Sequence, residues 1–319
     1  MPRQARLDFP GTLHHVIVRG IEKKKIVSDD RDRKSFISRL GKVATETDTV
    51  VYAWTLMTNH AHILLRSGKE GLSQFMRRLL TGYAVTYNLR HGRYGHLFQN
   101  RYKSIICDED TYLFELVRYI HLNPIRAGVI KSMAELDRYR YCGHSVLMGR
   151  VEHEWQDRDY ILRQFGKKEG EAKKRYREFV EAGIKEGRRP ELIGGGLIRS
   201  QGGWSQVLTL RRKGKREISD ERILGSRLFV ERILQEAEER VRQQFRALNS
   251  GKKIEEIIRS TCRKEGISQA ELQGGSRRGR VPEVRTKIAC KLVKEEGVIM
   301  AEAARHLGVS TSALSKAIK

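Results

Sequence analysis

Two strand-like runs, Val50 to Met57 and His60 to Arg66, are separated by only Thr58 and Asn59, which predicts an antiparallel hairpin. The flanking segments extend it. Leu13 to Arg19 is a β-rich run closed by Gly20, and Asp29 or Asp30 can cap a helix carrying Phe36, Ile37, Leu40 and Val43 at helical spacing. Leu72, Phe75, Met76, Leu79 and Tyr83 mark a second helix, and Tyr102 to Cys107 a fourth strand. The order βαββαβ is the split βαβ, ferredoxin-like arrangement, so the expected fold class is α+β. An added third helix places Leu113, Leu116, Val117 and Ile120 on one stripe. It should end close to Pro124, because proline disfavours helical geometry in the residue before it.

Beyond Val129 the pattern changes. Residues 151–215 read as a basic connecting region, with short helical stretches around Tyr160 and Tyr176, then Gly194-Gly195-Gly196 and the run Arg211-Arg212-Lys213-Gly214-Lys215-Arg216. Residues 216–319 read as an all-α domain. Ile288, Leu292 and Val293 share one helix, Ala301 to Leu307 form a second, and Ser312 to Ile318 a third after the turn Gly308-Val309-Ser310. A small residue at Ala304 and a turn glycine four positions later are what a helix-turn-helix requires. Ser310, Thr311 and Ser312 can cap the last helix, from which Ser315 and Lys316 could face phosphate or bases. Every candidate catalytic residue lies before Pro124, so residues 1–150 are expected to fold and act without the rest.

A chain of 319 residues, 39% hydrophobic, is long enough for two folded units. Its 63 Lys and Arg against 39 Asp and Glu give a net charge of +24, which makes nucleic acid the expected partner. No run of 18 apolar residues and no apolar signal core occur, so neither a membrane span nor export is expected and the protein should be cytoplasmic. Cys107, Cys142, Cys262 and Cys290 form no CxxC pair, which argues for reduced thiols rather than a zinc site or a disulfide framework.

His60 and His62 are two apart on a strand, so both side chains leave one face and can chelate one metal ion. By spacing alone they read as readily as a turn cap and a sheet residue. Tyr119 and Asn123 are four apart and share a helix face, whereas His121 points about 160° away from Tyr119. On spacing alone Tyr119 is an ordinary half-buried helix tyrosine.

Asn59-His60-Ala61-His62, followed by Tyr119-Ile120-His121-Leu122-Asn123-Pro124, resembles the REP-associated tyrosine transposases, single-tyrosine members of the HUH superfamily. Gly11-Thr12-Leu13-His14-His15-Val16, Arg19-Gly20 and Phe98-Gln99-Asn100-Arg101-Tyr102 belong to the same resemblance, which covers residues 8 to 130. Ala61 departs from the bulkier hydrophobic residue usual at the centre of the HUH triplet. The resemblance implies His60, His62 and Asn123 as ligands of a divalent metal, Mg²⁺ or Mn²⁺, and Tyr119 as the nucleophile. It also implies cleavage and rejoining of single-stranded DNA beside a hairpin, through a 5′-phosphotyrosine with a free 3′-hydroxyl. Tyr112, on the same helix, reads as packing or DNA stacking rather than a second nucleophile. The segment from Glu283 to Lys319 resembles the helix-turn-helix domain that ends bacterial replication initiators of the DnaA type, which implies duplex DNA binding.

Single-stranded DNA is expected to meet Arg77, Arg78, Arg90, His91, Arg93, Tyr94, Arg101, Tyr102 and Lys103, where cations and aromatic rings interleave, and duplex DNA to meet Ser312, Ser315 and Lys316. Two other readings use the same residues: a DNA-binding regulator without catalysis, and an RNA-binding or RNA-cleaving protein on the same sheet. The sequence leaves the oligomeric state open.

Overall fold

The computed structural model describes residues 7–187, 189, 192, 220–276 and 278–318, with the backbone alone for 240–250. The glycine triplet at 194–196 and the basic run at 211–216 lie outside the described residues. The chain divides into two compact units, Met1–Ile233 and Leu234–Lys319.

In the first unit the strands β1 (Leu13–Arg19), β2 (Val50–Leu56), β3 (His60–Arg66) and β4 (Lys103–Cys107) alternate with α1 (Asp30–Glu46) and α2 (Gly71–Arg90), giving βαββαβ. A fifth strand, β5 (Ile223–Leu224), runs parallel to β4, and the sheet order is β2-β3-β1-β4-β5. The other pairings are antiparallel. β1 is central and buried from Leu13 to Val18, because helices cover both faces of the sheet.

On one face α1 and α2 pack through Phe36, Leu40, Phe75, Met76, Leu79 and Tyr83 against Val16, Val18, Ile63 and Leu65. Asp29 caps α1 by accepting from the Asp32 amide at 3.0 Å. The distant Asp8 caps α2, its carboxylate accepting from the amides of Leu72 at 2.6 Å and Ser73 at 2.7 Å. On the other face lies α3 (Glu109–His121), whose Leu113, Leu116, Val117 and Ile120 are buried, and which gives way at Leu122 to the short α4 (Asn123–Arg126) containing Pro124. A bulge in β2 lets Tyr52 and Ala53 both enter the core beneath α3.

The same core continues past residue 150. The short helices α5 (Met133–Leu136) and α6 (His144–Leu147) are followed by α7 (Arg158–Arg163) and α8 (Glu169–Ala182). Ile161, Leu162, Ala172, Tyr176 and Val180 from α7 and α8 sit in one cluster with Tyr119, Ile120 and Leu122. Residues expected to connect two domains therefore close the core over α3. Their apolar runs are too short to show as domain elements without the surface they pack on.

The second unit is helical. The C-terminal half of α9 (Arg227–Glu265) packs through Ile254, Ile258 and Cys262 with α10 (Gln269–Gln273), α11 (Val281–Cys290), α12 (Met300–His306) and α13 (Thr311–Ile318). Between α12 and α13 Gly308 has φ +66°, and a Cβ there would lie 1.7 Å from the Gln273 carbonyl oxygen, so only glycine fits the turn. Ser310 Oγ accepts from the Ala313 amide at 3.2 Å and caps α13. Ala303 and Ala304 are buried at the helix contact, as are Leu314 and Ile318, leaving Ser312 and Lys316 exposed and Ser315 half-exposed.

A chain ending at Arg150 lacks buried Ile161, Leu162, Tyr176 and Val180, each aliphatic one worth roughly 1.5–3 kcal/mol against a total stability of about 5–15 kcal/mol. Contrary to the expectation from sequence, we predict that residues 1–150 give no cooperative thermal transition by circular dichroism, whereas residues 1–233 do. A sharp melt of the shorter piece would refute this.

Candidate active site

Antiparallel pairing puts directly opposed residues on the same face of the sheet. His62 faces Ile17 of β1 and Thr55 of β2, Ile17 in turn faces Lys103 of β4, and His60 faces Arg19. These side chains lie on the α3 side. The ring centroids of His60 and His62 are 5.2 Å apart, and Tyr119 stands edge-on to His62 at 5.9 Å. The two histidines and the tyrosine, 57 or more residues apart in the chain, thus meet under α3.

A third histidine joins them. His15 Nε2 lies 2.9 Å from His62 Nδ1, its ring stacks on His62 at 5.2 Å and meets Tyr119 edge-on at 6.0 Å. Its other nitrogen, Nδ1, donates to the Leu192 carbonyl oxygen at 3.3 Å, since a carbonyl can only accept. With His15 neutral, its Nε2 must accept from His62 Nδ1–H, which leaves the lone pair of His62 on Nε2. Asn59 Nδ2 donates to the Lys23 carbonyl oxygen at 3.2 Å, which turns Asn59 Oδ1 toward His60 to accept from His60 Nδ1–H at 2.7 Å. His60 too is left with its lone pair on Nε2. Burial, reinforced by Arg19, pushes His60 down to about 4, and burial with His15, His60 and Arg19 holds His62 well below its usual value. Both imidazoles are neutral at neutral pH, the form that binds a metal.

Asn123 lies just past the end of α3, half-buried, with its Nδ2 donating to the Ile120 carbonyl oxygen at 3.3 Å. That leaves Oδ1 as the atom it could offer to another partner. The Nε2 atoms of His60 and His62 are a pair of donors of the kind that suits a borderline divalent ion, and no contact of Asn123 with either ring is recorded among the described residues. Among the described residues no group of three or more His, Cys, Asp and Glu could hold a metal, so an ion here would rest on the two histidines and a neutral oxygen donor.

The remaining positions separate by face. Arg77 donates to Gln74 at 2.7 Å, Arg78 pairs with Glu46, and Arg90 pairs with Asp29 and Asp32. All three belong to α2, on the face of the sheet away from Tyr119. His91 donates to the same Asp32 carboxylate, and Arg93 lies 5.8 Å over the Tyr87 ring. Tyr94 is 97% exposed, Arg101 is exposed, and Lys103 is exposed on the site's face of β4. Tyr102 packs half-buried against the α1–α2 core, and Tyr112 half-buried against the α3 core. His121 is fully buried on the far side of α3, its Nδ1 2.5 Å from the Tyr176 hydroxyl. Sequence reasoning assigned no role to His15, whose partner is 47 residues away.

Residues 10–123 match the model of the family described as IS200-like transposase. The match covers about a third of the chain. The matched stretch contains His15, His60, His62, Tyr119 and Asn123. The solved structures similar to the chain include a REP-associated tyrosine transposase bound to a REP hairpin. Identity there is 16% and the TM-score 0.39, over 49% of this chain and 91% of that one. Another is a candidate transposase from Deinococcus radiodurans R1, with 17% identity and a TM-score of 0.27 over 38% of this chain and 94% of that one. No curated protein matches the chain. Among the described residues no helix is long and apolar enough to cross a membrane.

If His15 fixes the tautomer of His62, His15→Leu should weaken Mn²⁺ binding about 10–100-fold, the usual effect of losing a hydrogen-bonding partner of a ligand. Titration calorimetry with Mn²⁺ alone checks this, and unchanged affinity in a folded variant would exclude the role.

Proposed function

We propose that the transposase domain cleaves and rejoins single-stranded DNA at hairpin sequences, with Tyr119 as the nucleophile and His60, His62 and Asn123 as ligands of Mn²⁺ or Mg²⁺. The observation that carries this reading is the approach of the Tyr119 ring to His62 within 5.9 Å, inside the stretch that matches the transposase family.

The chemistry follows from what each residue presents. Tyr119 Oη attacks the phosphorus, the Oη–P bond forms, the P–O3′ bond breaks, the phenol proton passes to solvent and the departing 3′-oxygen takes up a proton. A divalent ion bound at the site would polarise the scissile phosphate and offset charge in the transition state. The phenol of an ordinary tyrosine ionises near pH ~10, so a neutral solution holds little of the attacking phenolate and help of this kind is needed. His60 and His62 present unprotonated Nε2 atoms. Asn59 and His15 hold those rings in place. Arg19, Arg101 and Lys103 lie at or beside the same end of the sheet and attract the phosphate backbone, while exposed Tyr94 offers a face on which a base can stack. Because the phosphotyrosine conserves the ester, a second 3′-hydroxyl reverses the step and joins a strand.

Tyr119→Phe should abolish the covalent protein–DNA adduct on a labelled hairpin oligonucleotide while hairpin binding persists. His60→Ala and His62→Ala should abolish cleavage, and Asn123→Ala reduce it less, imidazole being the stronger donor for such an ion. An adduct in Tyr119→Phe would transfer the role elsewhere. Equal cleavage of the RNA copy would favour the RNA reading, because the 2′-hydroxyl changes both groove shape and contacts.

For the second unit we propose duplex binding through Ser312, Ser315 and Lys316 on the outer face of α13. In the full chain, Lys316→Ala should lower duplex affinity, reduce the slope of log affinity against log salt by about one, and leave hairpin cleavage unchanged. An unaltered salt slope in a filter-binding series would remove α13 from the interface.

A further inference from the structure

After β1 the chain folds back over Thr58 and Asn59, the turn that leads into His60, and both ends of this crown are tied down. The Gly20 amide donates to the Asn59 carbonyl oxygen at 2.9 Å, that of Ile21 to Leu97 at 3.0 Å, and that of Ile26 to Thr58 at 2.8 Å. Ile26 and Val27 are fully buried just beyond it. A Cβ on Gly20 would lie 2.0 Å from the Lys24 carbonyl oxygen, so the crown closes this tightly only on glycine. At its top Glu22 and Lys23 have φ of 52° and 60°, two left-handed residues in succession. Glycine or asparagine enters that region at less cost, yet both positions carry long charged side chains. In this conformation the Lys23 carbonyl oxygen accepts from Asn59 Nδ2 at 3.2 Å, and Asn59 Oδ1 in turn accepts from His60 Nδ1–H at 2.7 Å.

The crown carries Lys23, Lys24 and Lys25, and Arg19 immediately precedes it, against a single carboxylate at Glu22. Glu22 pairs with Lys24 at 2.6 Å. The next two carboxylates along the chain, Asp29 and Asp30, are taken by Arg90 and Lys34. Among the described residues no carboxylate pairs with Arg19, Lys23 or Lys25, and all three are exposed.

We propose that this crown is a binding surface for the sugar–phosphate backbone of unpaired DNA, with Lys23 and Lys25 each meeting a phosphate as the strand enters beside His60. The inference rests on the reading of the site as one that takes single-stranded DNA. An exposed ammonium without a counterion gains by displacing the cations condensed on a phosphate chain, a gain that a lysine already held by a carboxylate largely forgoes. Gly20 bridges to Phe98 and Ile21 bonds to Leu97, so the crown adjoins the loop that carries Arg101 and the 97% exposed Tyr94. Cations beside a free aromatic ring serve the phosphates and the bases of a single strand together. Because the crown is fixed through backbone bonds to Thr58 and Asn59, a strand bound on it is held at a set distance from His60.

The test uses the full chain without divalent metal, so that binding is read apart from cleavage. Two labelled DNAs are compared, a hairpin with a single-stranded flank and the same hairpin without it. Each phosphate contact on a single strand contributes about 0.7 to the slope of log affinity against log salt. Lys23→Gly, which keeps the left-handed backbone and its carbonyl, and Lys25→Gln should each lower the slope for the flanked hairpin by about 0.7, and together by about 1.4. The slope for the bare hairpin should not move. Lys42→Gln, an equal change of charge at an exposed position of α1 on the other face, should leave both slopes alone. An unmoved slope in the folded double variant overturns the proposal, and so does an equal fall on both DNAs or an equal fall with Lys42→Gln. If the slope falls as expected while the wild-type protein with Mn²⁺ forms no covalent adduct, the phosphate surface stands and the cleavage reading falls.

Discussion

The site depends on one packing constraint, the rotational setting of α3 on the face of the sheet that carries His15, His60 and His62. Tyr119 and His121 leave the helix on opposite sides, so a setting that turns Tyr119 toward His62 must bury His121 away from the sheet. A buried polar chain meets it there. The Tyr176 hydroxyl lies 2.5 Å from His121 Nδ1 and 3.3 Å from His144 Nδ1, His144 Nε2 donates to Asp137 at 2.9 Å, and Arg177 donates to the other Asp137 oxygen at 2.9 Å. Rotating α3 by even a third of a turn would break this chain in a site closed to water, where an unmade hydrogen bond costs its full desolvation. The network thereby favours the orientation that turns Tyr119 toward His62. Its members at Asp137, His144, Tyr176 and Arg177 all lie beyond the stretch that matches the transposase family.

A second consequence of burial is electrostatic. The histidines under α3 sit in a protein of net charge +24, beside Arg19, and removed from water. Each circumstance disfavours imidazolium, so His60 and His62 remain neutral at ordinary pH. The same low-dielectric setting makes the direction of every Nδ1–H matter. Asn59 and His15 settle it by hydrogen bonding, which leaves the lone pair of each ring on Nε2.

The parts of this arrangement differ in how far the sequence discloses them. The hairpin, the βαββαβ order and the apolar stripe of α3 were legible because each is written in a short periodic pattern whose period fixes its geometry. Gly308 and the helix contact at Ala304 were legible for the same reason. β5 was not, since two residues carry no period. The helices α7 and α8 were seen as helical stretches but not as core, because a 3.6-residue pattern identifies a face and not the surface it meets. His15 was visible only as part of a motif, its bond to His62 being a contact between neighbouring strands 47 residues apart. The carboxylate partners of the α2 cations were not legible for a related reason. Arg78 and Arg90 look available in a linear reading, whereas Glu46, Asp29 and Asp32 from α1 are folded against them.

That last point bears on how a polyanion approaches. A positive net charge draws DNA to the whole molecule, but arginines whose charge is offset by adjacent carboxylates contribute little local potential. On the α1–α2 face those pairings involve Arg78 and Arg90. At the opposite face Arg19 stands exposed in register with His60, and Lys103 stands exposed in the row that runs through Ile17 to His62. The loop before β4 adds Arg101, and its Phe98 bridges to Gly20 directly after Arg19. The positions of the paired carboxylates thus create an asymmetry that a count of basic residues cannot show. The α1–α2 layer, with Arg78 and Arg90 tied to carboxylates of α1 and its N-terminal cap, is left to serve as the rigid back of the sheet.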